Sequence, residues 1–224
     1  INNLKKVGVI IFQDHASLIS SNKIYLKKVK KIIQAKNIII ATGSTPSMPE
    51  IPGKHLAINS DQFFEMKKLP KKISIVGSGY IALEFAFLLK NLNYDVSLII
   101  RKKTVLNEFD PDIGQRILNS ARSKKIKIYD ESTVQSIKKN KKGLLVSTNK
   151  NNINTDLIIF AIGRVPNIHS LNLHSAKIKL TTQQAIKVNT LSQTSNKHIF
   201  ALGDVTNRKN LTPVAIREAV YLVN

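Results

Sequence analysis

Lys72 to Arg101, KISIVGSGYIALEFAFLLKNLNYDVSLIIR, is the stretch that most narrows the folds open to this chain. Ile73, Ile75 and Val76 predict a short apolar strand. Gly77-Ser78-Gly79-Tyr80-Ile81-Ala82 then turns the chain into a helix expected to bury Phe85, Ala86, Leu88, Leu89 and Leu92. Strand, glycine turn and helix in that order describe a dinucleotide-binding βαβ unit. Gly77 suits the tight turn, Gly79 has no Cβ to hold a diphosphate away, and Ala82 lets helix and strand approach closely. The helix start offers free N–H groups and the positive end of a dipole, both complementary to phosphate. A second strand, Val96 to Ile100, ends in Arg101-Lys102-Lys103, where a site for NAD usually shows an acid for the ribose 2′-hydroxyl. Cations there suit a 2′-phosphate, so the expected nucleotide is NADPH. The plain alternative is a glycine turn that only packs.

Composition excludes more than it assigns. A chain of 224 residues can hold one or two domains with real cores. It has no apolar run near the length of a membrane span and no signal-like start, so no membrane association is expected and the expected compartment is cytoplasmic. Zero cysteines exclude disulfides, thiolate metal sites and any thiol chemistry by this chain. The 35 basic and 14 acidic residues give a net charge of +21, which alone would point to nucleic acid. The lysines are scattered among Asn and Ile and are not interleaved with aromatics, so compositional drift is the better account and no nucleic-acid partner is expected. His15, His55, His169, His174 and His198 show no metal-ligand spacing, so no metal is expected. Residue 1 is Ile and the chain stops at Asn224 inside a helical pattern, which reads as an excerpt of a longer protein.

In chain order, Val7 to Phe12 predicts a strand, followed by a hairpin in which Leu18-Ile19 and Ile24-Tyr25-Leu26 flank Ser20 to Lys23. Lys36 to Gly43 is an apolar run expected to be a strand buried on both faces. The segment ATGSTPSMPEIPG after it, stiffened by three prolines, reads as a crossover between domains or as an ordinary proline-rich loop. Asp110-Pro111 caps a helix with Ile113, Ile117, Leu118 and Ala121 at helical spacing. A strand over Ile126 to Tyr129 follows, then a hairpin joining Thr133–Ile137 to Leu144–Thr148 through Lys141-Lys142-Gly143. Leu157 to Ile162 predicts a strand leading to Gly163-Arg164-Val165-Pro166-Asn167, a second crossover. His198 to Asp204 predicts a buried strand ending in a glycine and a carboxylate, and Leu211-Thr212-Pro213 a capped helix start. An acid at the carboxyl end of a central strand lies where open α/β sheets bind ligands, although a turn-forming aspartate reads equally well.

ATGSTP, GSGYIALEFA, IIRKKTVLNEFD, AIGRVPN and ALGDVTNRKNLTPVA, in that order, resemble the class I pyridine nucleotide-disulfide oxidoreductase family over nearly the whole chain. GYIALEFA, the basic IIRKK, the VLNEFD that follows and LTPVAIRE are most similar to the glutathione reductase branch. The resemblance implies an α/β fold in which a Rossmann-like NADPH-binding domain, residues 45–166, is inserted into a partial FAD-binding domain formed by 1–44 and 167–224. It implies a flavoprotein in which NADPH reduces FAD and the flavin reduces an active-site disulfide acting on a small-molecule substrate, glutathione disulfide. Gly77, Gly79, Tyr80, Ile81, Ala82, Arg101, Lys102 and Gly163 would contact NADPH. Thr42, Gly43, Asp204 and Thr212 would belong to the FAD site, with Asp204 on the ribityl chain. Tyr80 would be the ring over the nicotinamide pocket, and Glu84 the carboxylate below it that pairs with a lysine. Helical spacing puts those two on one face, so a shared pocket is expected; the plain alternative is a packing tyrosine and a solvated glutamate.

The same resemblance implies that the first FAD-binding glycine motif, the CxxxxC redox pair and that lysine lie before Ile1. The catalytic histidine and most of a homodimer interface would lie beyond Asn224. Asn107 stands where the glutathione reductase pattern has a second arginine for the 2′-phosphate, which leaves Lys102 or Lys103 to compensate. Two rivals are a dihydrolipoamide dehydrogenase-like enzyme, which would normally show an acid at position 101, and a nucleotide-binding module without turnover.

Overall fold

A computed structural model describes residues 2–223 of this protein, in which continuous apolar runs form strands buried on both faces and sparser apolar patterns form strands covered on one. The chain divides into two compact units. One comprises the residues up to Thr45 together with those from Val165 onward, and the other comprises Pro46–Arg164.

In the first unit, helix α1 (Asn2–Lys6) precedes an antiparallel sheet of β1 (Ala16–Leu18), β2 (Lys23–Leu26) and β3 (Lys31–Gln34). The expected hairpin is present, and β3 extends it. Val7 to Phe12 is not a strand: Gly8 takes φ 84, which breaks an extended backbone, and Val7, Val9 and Ile10 are exposed. Asp14 organises the sheet by accepting the N–H groups of His15, Lys28 and Val29 at 2.7, 2.7 and 2.9 Å. Next, β4 (Ile38–Ile40) runs toward β5 (Ser44–Pro46). Ile38 and Ile40 are buried but Ile39 is half exposed, so this strand is covered on one face of the unit, not on both as expected.

The second unit begins with β6 (Ile58–Asn59) and α2 (Ser60–Phe63), started by a capping box in which Asn59 and Gln62 satisfy one another's backbone N–H groups. Then come β7 (Lys72–Val76), α3 (Tyr80–Asn91), β8 (Asp95–Ile99), α4 (Pro111–Ser123) and β9 (Lys127–Tyr129). An antiparallel meander of β10 (Val134–Asn140), β11 (Gly143–Thr148) and β12 (Asn152–Thr155) leads to β13 (Leu157–Phe160). The five strands β6-β13-β7-β8-β9 form one sheet in that order, and every pairing in it is parallel. Ile73, Ile75, Val96, Leu98 and Ile159 face the cluster that includes Ala82, Phe85, Leu89 and Leu118; Val76, Ile99, Ile158 and Phe160 face the meander. On that second face Ser74 and Ser97 satisfy each other's hydroxyls at 2.8 Å.

Two helices are rotated from the expected register. On α3, Ala82, Leu83, Phe85, Ala86 and Leu89 are buried while Leu88 and Leu92 are about half exposed, because the close approach of Ala82 to Gly77 fixes which face meets the sheet. On α4, Leu118 and Ala121 are buried as expected, but Gly114 turns inward in place of Ile113, since a Cβ there would stand 2.5 Å from the Val105 carbonyl oxygen.

The chain returns to the first unit through β14 (Arg164–Pro166), and β15 (Ile199–Ala201) pairs in parallel with β4, setting Ile199 beside Ile38 and Ala201 beside Ile40. A 3-10 turn over Gly203–Thr206 and helix α5 (Thr212–Val223) complete the unit. Its core gathers Leu18, Ile38, Ile40, Leu173, Ile186, Ile199 and Val205. Among the described residues no helix is long and apolar enough to cross a membrane.

Candidate functional site: a glycine turn and a basic loop

Gly77 follows directly on β7, and its backbone N–H donates to the Ile99 carbonyl at 3.0 Å at the end of the neighbouring strand. Its φ is 141, and a Cβ on it would overlap the Ala161 carbonyl oxygen and lie 3.2 Å from the Ala82 Cβ. Only glycine fits that wedge between β13 and the first turn of α3. Gly79 is different. It caps α3 with φ −83 and ψ 175, a conformation any residue can adopt, and a Cβ there would meet nothing within 4 Å. No side chain caps this twelve-residue helix, so its first N–H groups and its positive dipole end face the open space above Gly79. Gly163 takes φ 116 and likewise leaves its Cβ direction open.

The segment after β8 comes back to this turn. The N–H of Leu106 donates to the Ser78 carbonyl at 2.9 Å, and Thr104 closes the loop by donating to Asn107 Oδ1 at 2.7 Å. Arg101 and Lys102 are exposed on that loop, and neither makes an ion pair with an acid among the described residues. Lys103 lies 3.9 Å from Glu131, which Lys150 holds more closely at 2.9 Å. The Lys150 hydrogen bond, reinforced by the charge of Lys103, keeps the Glu131 carboxyl below its ordinary range. Asn107, where a second arginine would suit a phosphate, serves as a loop-closing acceptor.

A cavity of about 350 Å³ in the same unit is lined by Ile81, Glu84, Asp61, Phe64 and Arg164, among others. Phe63 packs edge-on to Phe85 at 4.6 Å, which seats α2 against α3, and Phe85 with Phe64 lines the cavity. Arg164 donates to Asp61 at 2.8 Å across it. Glu84 is among the residues lining this cavity, and Tyr80 stands half exposed one helical turn before it on α3. The Asp61–Arg164 pair had only one sequence signal, the arginine in GRVPN.

In the other unit, the parallel pairing of β4 with β15 brings Thr42, Gly43 and Asp204 to one edge. Thr42 donates its hydroxyl to the Asn167 carbonyl at 2.8 Å, the Asn167 N–H donates to the Gly43 carbonyl at 2.9 Å, and Ser44 donates to Asp204 Oδ2 at 2.9 Å. Gly43 takes φ 68 with its Cβ direction open. Thr212 begins α5, whose Ala215 lies 3.4 Å from where a Cβ on Gly203 would stand. Ser44, Asn167 and Glu218 were not singled out from sequence.

A parallel sheet with a glycine turn at a helix start and a basic loop bonded to it is the arrangement of a nucleotide-binding unit. Residues 2–219 match the profile of the pyridine nucleotide-disulphide oxidoreductases. The chain belongs to that family. It is 37% identical over 231 residues to a glutathione reductase of Nostoc sp., covering 97% of this chain and 50% of the relative. It is 39% identical over 223 residues to a chloroplastic/mitochondrial glutathione reductase of Pisum sativum, covering 99% and 40%. The chain thus spans half or less of the length of these curated relatives. An HOCl-induced flavoprotein disulfide reductase from Escherichia coli shares the fold with a TM-score of 0.93 at 24% identity, covering 99% of this chain and 52% of that one. So does a water-forming NADH oxidase from Lactobacillus brevis bound to NADH, with a TM-score of 0.88 at 25% identity over 99% of this chain and 54% of that one. An engineered form of that oxidase bound to NADPH has a TM-score of 0.86 at 26% identity, with the same coverages. The fold alone therefore does not choose between the two nucleotides. The family is one of flavin enzymes that use FAD and a pyridine nucleotide.

Proposed function

We propose that this chain is the nucleotide-handling part of an NADPH-dependent flavin disulfide reductase whose substrate is glutathione disulfide. One observation carries the NADPH reading: Arg101 and Lys102 stand exposed, without an acidic partner among the described residues, on a loop bonded back to the glycine turn. A nucleotide whose diphosphate rests over Gly79 and the start of α3 would bring a 2′-phosphate toward these cations, and such charge-assisted bonds are the strong ones. At position 101, just after β8, where a site for plain NAD usually has an acid, this chain has arginine. Arg101 also weighs against a dihydrolipoamide dehydrogenase-like enzyme.

The residues present fit both cofactors in the sense that Gly79, Gly163 and Gly43 each leave the direction of a Cβ open where a ligand would approach. Ile81 and Ala82 offer backbone N–H groups of the first helical turn to the diphosphate, and Gly163 lets the nicotinamide half approach. Thr42, Gly43, Asp204 and Thr212 are assigned to FAD, with Asp204 on its polyhydroxyl chain. Tyr80 is assigned to cover the nicotinamide and Glu84 to supply a carboxylate below it. Bound FAD supplies a two-electron carrier between reduced nicotinamide and a disulfide. With no cysteine in its 224 residues the chain supplies no thiol, so disulfide reduction needs a cysteine pair from outside this sequence. That absence favours the second reading for the chain taken alone, a nucleotide-binding module without turnover.

Titration of the purified chain with NADPH and with NADH, followed by nicotinamide fluorescence, tests the nucleotide assignment. Arg101→Glu is expected to weaken NADPH by about 10- to 100-fold, the equivalent of ~1.5–3 kcal/mol for a hydrogen bond to a charged group, and to leave NADH nearly unchanged. Equal losses for both nucleotides would refute it. A yellow chain that reduces glutathione disulfide by itself would refute the module reading.

A further inference from the structure

The turn that carries Asp204 is held by a carboxylate on α5. β15 stays paired with β4 as far as Leu202, whose N–H donates to the Ile40 carbonyl at 3.1 Å. Gly203, the next residue, has left the sheet, and its N–H donates to Glu218 Oε2 at 2.7 Å. The Glu218 side chain is only 15% exposed, and its Oε1 pairs with Arg208 Nη2 at 2.9 Å. The same guanidinium nitrogen donates to Ser192 Oγ at 2.9 Å, and the Ser192 carbonyl accepts the Ala201 N–H at 2.9 Å. The bonds close a ring from Ala201 through Ser192, Arg208 and Glu218 to Gly203. Gly203 has φ 71, and Ala215 packs against it, so α5 abuts the turn. From the opposite side Ser44 donates to the Asp204 carboxylate at 2.9 Å.

We infer that Glu218 is a positioning residue: by accepting the Gly203 N–H it fixes the turn that aims Asp204 at the flavin's polyhydroxyl chain, and Arg208 keeps Glu218 in place. This rests on the assignment of Asp204 to FAD above. Charged acceptors make the stronger hydrogen bonds, and removing a largely buried one takes the acceptor from the Gly203 amide and leaves the Arg208 guanidinium with Ser192 but without its carboxylate. Glutamine keeps one acceptor oxygen, so Glu218→Gln rescues the amide contact where Glu218→Ala cannot.

Two measurements on the chain test this. In amide hydrogen exchange, Gly203 is expected to be protected in the parent and in Glu218→Gln, and to exchange about tenfold faster or more in Glu218→Ala. An unchanged rate in Glu218→Ala overturns the proposal. FAD affinity, followed by quenching of flavin fluorescence, is expected to fall about tenfold in Glu218→Ala, to recover in Glu218→Gln, and to fall at least as far in Asp204→Ala, with NADPH affinity unchanged throughout. Loss of FAD in Asp204→Ala but not in Glu218→Ala also overturns it. If Asp204→Ala leaves FAD affinity unchanged, the flavin assignment of Asp204 fails instead, and the exchange result still decides the role of Glu218. Should Glu218→Ala not fold, Arg208→Gln takes its place: Gly203 is expected to exchange several-fold faster, and an unmoved rate counts against the proposal.

Discussion

Exchanging Gly77 or Gly79 for alanine separates what the fold requires from what the ligand requires. At Gly77 the backbone has φ 141, and the new methyl would overlap the Ala161 carbonyl oxygen while crowding the Ala82 Cβ at 3.2 Å. A non-glycine residue in that backbone region costs about 1–3 kcal/mol, and forcing a methyl into packed backbone adds ~1–3 kcal/mol. The sum, about 2–6 kcal/mol, is a large share of a domain's 5–15 kcal/mol. For a unit of this size it should lower the apparent Tm by ~10 °C or more. At Gly79 the methyl meets no protein atom and φ is −83, so only the weaker helix cap and the stiffer unfolded chain differ, effects that oppose one another and stay within about 1 kcal/mol. The assay is a thermal melt of each variant paired with an NADPH titration. Gly79→Ala is expected to melt close to the parent yet bind NADPH about tenfold more weakly or worse, whereas Gly77→Ala loses stability first. Equal destabilisation by both variants, or full NADPH affinity in Gly79→Ala, would refute the reasoning.

Asp14 supplies a pH test. Partial burial raises its carboxyl, but the N–H groups of Lys28, Val29 and His15 outweigh that and hold it below its ordinary value of 3.8. The folded state thus binds fewer protons than the unfolded one just below that value, so this contribution is complete above about pH 4 and fades as pH falls through the depressed value. Urea midpoints of the parent and Asp14→Asn should therefore differ by a constant amount near neutrality and converge below about pH 4; a gap that does not change with pH contradicts this. Leu89, fully buried on α3, should cost about 2–5 kcal/mol when changed to alanine, whereas the half-exposed Leu88 should cost far less. Denaturant melts yielding equal losses would show that the helix faces the other way.

The βαβ unit was legible because three independent signals coincide in it: an apolar strand, glycines at fixed spacing and a helix start. The buried face of α3 was less so. Leu88 and Leu92 fit a helical apolar stripe as well as Leu83 does, and only the contact of Ala82 with Gly77 sets the rotation. Strand β12, Asn-Ile-Asn-Thr, has one apolar residue and owes its conformation to its β11 neighbour, so no local pattern announces it. Val7 to Phe12 is the opposite case, apolar enough for a strand but interrupted at Gly8. At the candidate site the glycines and basic residues stand out as motif members. The parts played by Asp61, Ser44 and Glu218 are not legible there, because each acts on a residue at least 15 positions away, which only the folded chain brings near.

The central claim is that a nucleotide lies across the Gly77–Ala82 turn with its 2′-phosphate on the Arg101–Lys102 loop. Backbone amide chemical shifts of the labelled chain, recorded with saturating NADPH and then with NADH, test it most directly. The account predicts that NADPH moves the amides of residues 77–82 and 101–102 most, and that NADH reproduces the first set without the second. Largest shifts elsewhere in the chain, or identical shifts at 101–102 for both nucleotides, would contradict it.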